Sequence, residues 1–481
     1  MHRIGWRESS KTKTKLNPRT MNINKVIGFI ITFLLLSVFF ACKEKTGGII
    51  EFTSEPNDQS INITGQVLPK NEVDKSVTIT TDFNSKITSQ PRRSGFDNLL
   101  AELQIVYIKE KNIWLWSKDK GNRQLTQSGA VHQIQVGSDD QLVAYVQQVD
   151  DYHGELWVID LNGQNERRIL GVFELDELGS GARDPNSVAI NPYQFSWIPG
   201  TRKIAFNTRQ VFQDSSFIRL DDLNWVDIDS LERRTIILPF QGGNYRYSPD
   251  GSLIAVSTPD EISIITADGA KRNSVLTYDQ VISYSEQKYY ADPIWSPNTK
   301  TLYVAIPPPD PLADPRNPTT LWEIPATDLK AIQIGSVIAQ PYIDSEVVFS
   351  PDLNKIVFLR ETGNPSENMT EMVIASKDGT AEQLVQKGKF VQLLAWSPVS
   401  NFFVFKQGEN WEAKILKNGN QIEPLMGDPF GIYNLKWVDD ETFLILKENG
   451  VNFSLILSSL QGDILIVDEI PSPPTDFEFI H

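Results

Sequence analysis

The chain of 481 residues sets 45 Lys and Arg against 61 Asp and Glu, a formal net charge of -16. Such a surface repels phosphate backbones and argues against a nucleic-acid partner. Apolar residues make up 40% and aromatics 10%, enough for a sizeable core, which excludes wholesale disorder.

The first predicted element is a targeting segment. Met21-Asn22-Ile23-Asn24-Lys25 precedes an apolar run from Val26 to Phe40, and Ala41 and Cys42 follow. A basic flank, a short apolar stretch and a small residue at the junction describe a secretory signal, while a spanning helix usually needs about 20 apolar residues. Residues 1–20 contain no apolar segment, so Met21 is the expected start. Without residues 1–41 the chain carries 38 Lys and Arg against 60 Asp and Glu, a net -22. Cys42 is the only cysteine, so no intramolecular disulfide forms. Ala41-Cys42 resembles the lipobox of bacterial lipoproteins, although Phe39 stands where that family prefers Leu. The resemblance implies diacylation at Cys42 and attachment to a membrane in the cell envelope, on its extracytoplasmic side. An uncleaved anchor and plain secretion are the alternatives.

Residues 42–95 are polar, with Gly47-Gly48, Pro56, Pro69 and Pro91 scattered through them and no sustained hydrophobic period. They read as a flexible tether. The folded body is expected over 96–481. Within it a unit recurs at roughly 40 to 60 residues: an aromatic or apolar residue, a Ser-Pro-Asp-Gly-like turn and a β-branched run. The clearest copy is Tyr247-Ser248-Pro249-Asp250-Gly251-Ser252-Leu253-Ile254-Ala255-Val256, and others start at Val136, Trp197, Trp295, Phe349, Trp396 and Trp437. Each unit continues with a strand such as Leu156–Ile159, then a turn such as Asn162-Gly163, Asp268-Gly269, Asp378-Gly379 or Asn418-Gly419, whose residues supply positive φ angles. Four antiparallel strands in a unit of this length make a propeller blade.

The blade count follows from the ends. Ile105–Tyr107, Ile113–Trp116 and Arg123–Thr126 supply three strands of a unit that lacks its first. Asp476-Phe477-Glu478-Phe479-Ile480 is a lone alternating strand after the last unit. If it completes the first unit, N- and C-terminal strands close an all-β propeller of eight four-stranded antiparallel blades. Seven blades is the alternative.

The repeat resembles that of TolB-type propellers and of the propeller domains of prolyl-oligopeptidase-like enzymes. In that pattern a Trp or Phe, Ser-Pro-Asp-Gly, two variable residues and Ile-Ala-Phe follow one another, as they nearly do from Tyr247 to Val256. The resemblance implies that the Asp-Gly turns between the two innermost strands and that the aromatic packs between blades. It implies no catalytic residue.

Little in the body points to catalysis. The histidines are His2, His132, His153 and His481, and no Gly-x-Ser-x-Gly elbow or hydrolase-like helical region is present. No His or Cys set has zinc spacing, and Asp150-Asp151-Tyr152-His153 lacks the ligand pattern of a calcium loop. No cofactor is expected. Long links at Gly171–Tyr193, Thr208–Leu223, Val281–Pro293, Pro307–Thr320 and Glu361–Met369 all run from a second to a third strand, or from a fourth strand to the next blade. Blade topology brings such links out on one face, where binding residues concentrate. That face would present Glu174, Asp176, Arg183, Asp184, Arg209, Phe212, Asp214, Tyr284, Tyr289, Tyr290, Asp292, Asp310, Asp314 and Arg316.

The expected function is a non-catalytic binding or scaffolding module for a protein, peptide or glycan partner, tethered to the membrane. The alternative is a hydrolase or accessory subunit that uses carboxylates of the long-loop face.

Overall fold

The structure, a computed structural model, describes residues 94–480 except 138–140, 286, 341–346, 363–368, 418–420, 426–429 and 473–475. The leader, Cys42, all but the end of the tether and the Asn418-Gly419 turn lie outside the described residues.

Helix α1 (Ser94–Glu102) leads into blade 1, made of β1 (Gln104–Lys109), β2 (Asn112–Ser117) and β3 (Gly121–Gln124). Blade 2 has β4 (Val131–Gly137), β5 (Leu142–Gln148), β6 (Gly154–Asp160) and β7 (Arg167–Leu170). After helix α2 (Val172–Gly179), blade 3 has β8 (Ser187–Trp197), β9 (Lys203–Phe212), β10 (Phe217–Arg219), β11 (Leu223–Asp227) and β12 (Arg233–Ile237). Blade 4 has β13 (Asn244–Tyr247), β14 (Leu253–Ser257), β15 (Glu261–Thr266) and β16 (Arg272–Thr277). Blade 5 has β17 (Ile294–Trp295), β18 (Thr301–Ile306), β19 (Thr319–Pro325) and β20 (Ile332–Val337). Blade 6 has β21 (Val348–Phe349), β22 (Lys355–Thr362), β23 (Met369–Ser376) and β24 (Gln383–Lys389). Blade 7 has β25 (Val391–Trp396), β26 (Phe402–Gln407), β27 (Glu412–Lys417) and β28 (Gln421–Pro424). Blade 8 has β29 (Ile432–Trp437), β30 (Thr442–Asn449), β31 (Asn452–Ser459) and β32 (Ile464–Ile470), and β33 (Phe477–Ile480) follows.

Seven of the eight sheets have four strands, and blade 3 gains a fifth, β10. We name the strands of a blade a to d from the inside. The a strand of blade 1 is β33, paired antiparallel with β1 from Tyr107↔Phe477 to Gln104↔Ile480. The last strand thus completes the first sheet, and the count is eight.

The core explains why the inner strands are apolar on both faces. Side chains alternate across a strand, and here each face meets a different neighbour. Ile105 and Tyr107 pack with Leu444, Leu446 and Leu455 of blade 8, whereas Val106 and Ile108 pack with Val143 and Tyr145 of blade 2. Similar clusters join blades 2 and 3, 3 and 4, 4 and 5, 5 and 6, 6 and 7, and 7 and 8. Phe96, Leu100 and Leu103 of α1 enter the cluster between blades 8 and 1.

The recurrent Ser has a specific task. Ser248, Ser296, Ser350 and Ser397 are buried, and each hydroxyl accepts the backbone N–H five residues on, from Leu253, Thr301, Lys355 and Phe402. In the first three copies it also donates to Asp250, Asn298 or Asp352. Trp197, Trp295 and Trp396 each donate their indole N–H to an inner-strand carbonyl of the preceding blade, on Gln135, Arg246 and Val348. A buried indole needs such a partner, so the aromatic fixes the blade-to-blade register as well as filling space.

Two expectations need correction. Of each Asn-Gly or Asp-Gly pair at these outer turns, the glycine adopts positive φ (Gly163 81°, Gly269 74°, Gly379 80°) and the preceding Asn or Asp does not. Those side chains instead accept the backbone N–H two residues on, at Gln164, Ala270 and Thr380. The long segments at Gly171–Tyr193 and Thr208–Leu223 are also more regular than loops: α2 and the start of β8 occupy the first, the end of β9 and β10 the second.

Candidate functional site

The strand register places one unusual cluster at the end of blade 3. β8 and β9 run 11 and 10 residues, but β11 pairs β9 only over Lys203–Phe206. Beyond that point β10 takes the vacant edge, pairing with Arg209–Val211. A three-stranded ribbon therefore projects on the face from which the b–c and d–a links emerge. Register shifts at Ser187/Ala189 and Pro192/Phe195 mark irregularities in β8, and such bulges re-aim side chains.

In this ribbon Arg209 stands opposite Asn191 on one side and Arg219 on the other. Like charges directly opposite destabilise a sheet. Arg219 is compensated: it pairs with Asp221 at 2.9 Å and donates to Asn244 Oδ1 at 2.9 Å. The Tyr290 hydroxyl donates to the second Asp221 oxygen at 2.5 Å, and its ring lies 4.2 Å from the Arg219 guanidinium. Burial first, then the carboxylate, pushes the Tyr290 pKa well up. Arg209 is held differently. Its guanidinium lies 4.8 Å from the Phe217 ring and 5.8 Å from the Tyr193 ring, which are 5.6 Å apart. Burial lowers its pKa, yet guanidinium stays charged in proteins. Among the described residues no carboxylate pairs with it.

The remaining predicted residues lie on b–c or d–a links, or on the strand and helix residues that border them. Tyr284 donates to Asp310 at 2.6 Å, and Ile282 N–H donates to the Pro309 carbonyl, which ties the d–a link of blade 4 to the b–c link of blade 5. Arg316 donates to the Pro311 carbonyl and pairs with Glu361 at 2.9 Å, which carries the chain of contacts to blade 6. Arg246 and Asp292 pair at 2.8 Å, and Asp176 and Arg183 at 2.9 Å. An open cleft of about 570 Å³ is lined by Tyr284, Tyr289, Ile282, Lys288 and Pro259. Others do local work. Glu174 accepts the Gly171 N–H at the start of α2, and Asp184 accepts the Asn186 N–H. Asp214 takes the Ser216 hydroxyl and N–H, which hold its pKa below the usual range, and Phe212 closes the same turn through its carbonyl. Asp314 is exposed.

The sequence reading missed Tyr193, Phe217, Arg219 and Asp221, because nothing in the pattern announced β10. It also missed a sidedness. Among the described residues the strongly exposed aromatics are Phe173, Phe217, Phe240, Tyr284, Phe390, Trp411, Phe430 and Tyr433. Seven sit in b–c or d–a links, and Tyr433 lies one residue inside its a strand, at the same end. Among the described residues the opposite end exposes no large aromatic, only the aliphatic Leu231 and Val399 in its links and Ile332 and Ile464 at the first positions of their d strands. One signal was available: Phe390 and Trp411 interrupt the polar, turn-forming residues around them.

Among the described residues no three His, Cys, Asp or Glu side chains are grouped to hold a metal ion. The Asp150 carboxylate instead accepts the N–H groups of Tyr152 and His153 and contacts the His153 ring, which keeps its pKa low. No described helix is long and apolar enough to cross a membrane.

No protein-family profile matches the chain, and no curated protein matches it in sequence. Solved structures are similar in architecture. Dipeptidyl peptidase 4 of Porphyromonas gingivalis is 13% identical with a TM-score of 0.48, over 70% of this chain and 52% of that one. The β-propeller domain of the Trilobed protease from Pyrococcus furiosus is 14% identical at 0.40, over 58% and 84%. TolB from Acinetobacter baumannii is 12% identical at 0.32, over 70% and 80%. This chain thus spans about half of the dipeptidyl peptidase chain. By its own repeat and its ring of eight antiparallel sheets, the chain is an eight-bladed β-propeller.

Proposed function

We propose that the protein is a membrane-tethered, extracytoplasmic propeller that acts as a non-catalytic binding or scaffolding module. It meets a protein, peptide or glycan partner through the face of the b–c and d–a links. The observation that carries this reading is the confinement of the strongly exposed aromatics to that face. Aromatic side chains on water cost free energy without a partner and are enriched where proteins bind. The acidic groups support binding over hydrolysis. Asp176, Asp292 and Asp310 each face an Arg or Tyr, whereas hydrolysis of the two-carboxylate type needs an acid and a base flanking one cleft.

The test compares two faces with immobilised full-length chain and extracts of the source organism. Phe390→Ser with Trp411→Ser should abolish recovery of a stoichiometric partner, and Leu231→Ser with Val399→Ser should leave it unchanged. Equal recovery by both pairs would remove the assignment of the face. The anchor is tested separately: Cys42→Ala should move the protein to the soluble fraction, and retention in the membrane would exclude lipidation as the attachment.

A further inference from the structure

We propose that Arg209, against the paired rings of Tyr193 and Phe217, is a subsite for a carboxylate presented by an acidic peptide. The inference rests on the binding-face reading and names the chemistry that one part of the face takes.

Charge bookkeeping singles out this residue. Arg183, Arg219, Arg246 and Arg316 on the same face each have an acid within 3 Å: Asp176, Asp221, Asp292 and Glu361. Arg209 has none among the described residues, in a chain with more acids than bases. Its Nε is buried without an acceptor, as is that of Arg219, but Arg219 has Asp221 and Asn244 on its other nitrogens and Arg209 has no such partner among the described residues. A second observation points the same way. His132, at the start of β4, has its pKa lowered by burial and then by the positive charges of Lys111 and Arg209. Lys111 lies in the β1–β2 turn, a b–c link, so these cations share one side of the disc. A positive locus on a net-negative molecule attracts an anion.

The shape of the group selects which anion. A guanidinium presents a planar fork that binds carboxylate or phosphate through two parallel hydrogen bonds. The two rings, packed on each other, hold the fork from one side and keep water from that side, which strengthens a charge-assisted bond. The surrounding acidic surface opposes a doubly charged phosphate more than a singly charged carboxylate. Tyr193 and Phe217 would pack on the peptide stem as they already pack on the arginine.

The experiment measures binding of fluorescently labelled tetraglutamate and tetralysine to the purified full-length chain at low salt, with acetate and inorganic phosphate as competitors. Tetraglutamate should bind saturably and tetralysine should not. Arg209→Met should weaken tetraglutamate by about tenfold or more, in line with one hydrogen-bonded ion pair. Arg209→Lys should keep part of the affinity, because charge remains and the fork is lost. Asp214→Asn, on the same ribbon, should bind at least as well as the unaltered chain. If Arg209→Met does not fold, as judged by its melting curve, Arg209→Lys alone decides, and no change from the unaltered chain then overturns the subsite. Equal binding of both peptides, an unchanged affinity in Arg209→Met, or phosphate competing better than acetate would each overturn the proposal. Phe390→Ser with Trp411→Ser lies across the ring and should leave tetraglutamate binding intact. Loss of partner recovery in that pair, with unchanged peptide binding in Arg209→Met, would sink the subsite and leave the binding face standing.

Discussion

Gly251 shows how one residue holds two blades at once. Its backbone sits at φ +71°, and a Cβ there would lie 2.5 Å from the Pro199 carbonyl oxygen of the preceding blade. Gly200 occupies the equivalent turn of blade 3 at φ +68°, but a Cβ there would meet nothing within 4 Å. The pair separates backbone strain from steric clash. Gly200→Ala should cost about 1 kcal/mol from the left-handed conformation alone. Gly251→Ala adds the clash with a backbone atom, for a total of about 2–4 kcal/mol, and should lower the melting temperature clearly further. Equal shifts in the two melting curves would mean that Pro199 yields freely. The same turns account for what was legible in the sequence. Ser-Pro-Asp-Gly recurs because the buried Ser hydroxyl, the Asp acceptor and the left-handed Gly each satisfy a backbone demand. Degraded copies keep the part that matters most locally: Ser397 still accepts the Phe402 N–H, and Asp439 accepts the N–H groups of Glu441 and Thr442.

At the level of elements, the strands on regular blades were readable and the additions to them were not. Seven units and the lone C-terminal strand follow from alternation plus turns. Helix α1 is only 9 residues with apolar Phe96, Leu99, Leu100 and just past it Leu103; all but its first two residues fall in the expected body, but so short a segment shows no helical period to read. The short β10 (Phe217-Ile218-Arg219) has no alternation to read, because its role is set by an overlong β9 beside it. Arg209 was picked out from its loop-like position; its aromatic neighbours come from tertiary pairing, which sequence spacing does not encode. The closing strand carries its own electrostatics. Lys436 on β29 donates to the Phe477 carbonyl at 2.7 Å and to Glu478 at 2.9 Å, and lies 3.5 Å from Asp476. Burial raises the pKa of both Asp476 and Glu478 despite that cation. A carboxyl whose folded pKa is raised stabilises the fold below the ordinary carboxylate range, and that contribution is lost as pH rises through the raised value. Lys436→Met removes the compensating charge, so both values should rise further. Its stability deficit should therefore be largest near pH 7–8, about 1–3 kcal/mol, and shrink towards about pH 4. Melting temperatures of the two proteins between those limits check this, and a deficit that is constant with pH would remove Lys436 from the closure.

For the whole molecule, the core is divided into eight clusters that each belong to two blades, so no blade owns a core of its own. A ring built this way has no weak end as long as it is closed. Closure rests on four residue pairs between β1 and β33 and on Phe477, which is 1% exposed within the cluster between blades 8 and 1. Removing residues 476–481 deletes that strand, leaves the inner edge of β1 unpaired and opens the cluster to water. The remaining interfaces keep their contacts, so the loss should be local before it is global. In the intact chain, amide exchange should be slow and similar in the inner strands of every blade, with one thermal transition. In the truncated chain, exchange in β1, β2, β30 and β31 should accelerate by orders of magnitude at temperatures where β14 and β15 of blade 4, on the far side, stay protected. A uniform loss across all blades would mean that the disc unfolds only as a unit, with the terminal strand serving as one more increment of stability and not as the clasp.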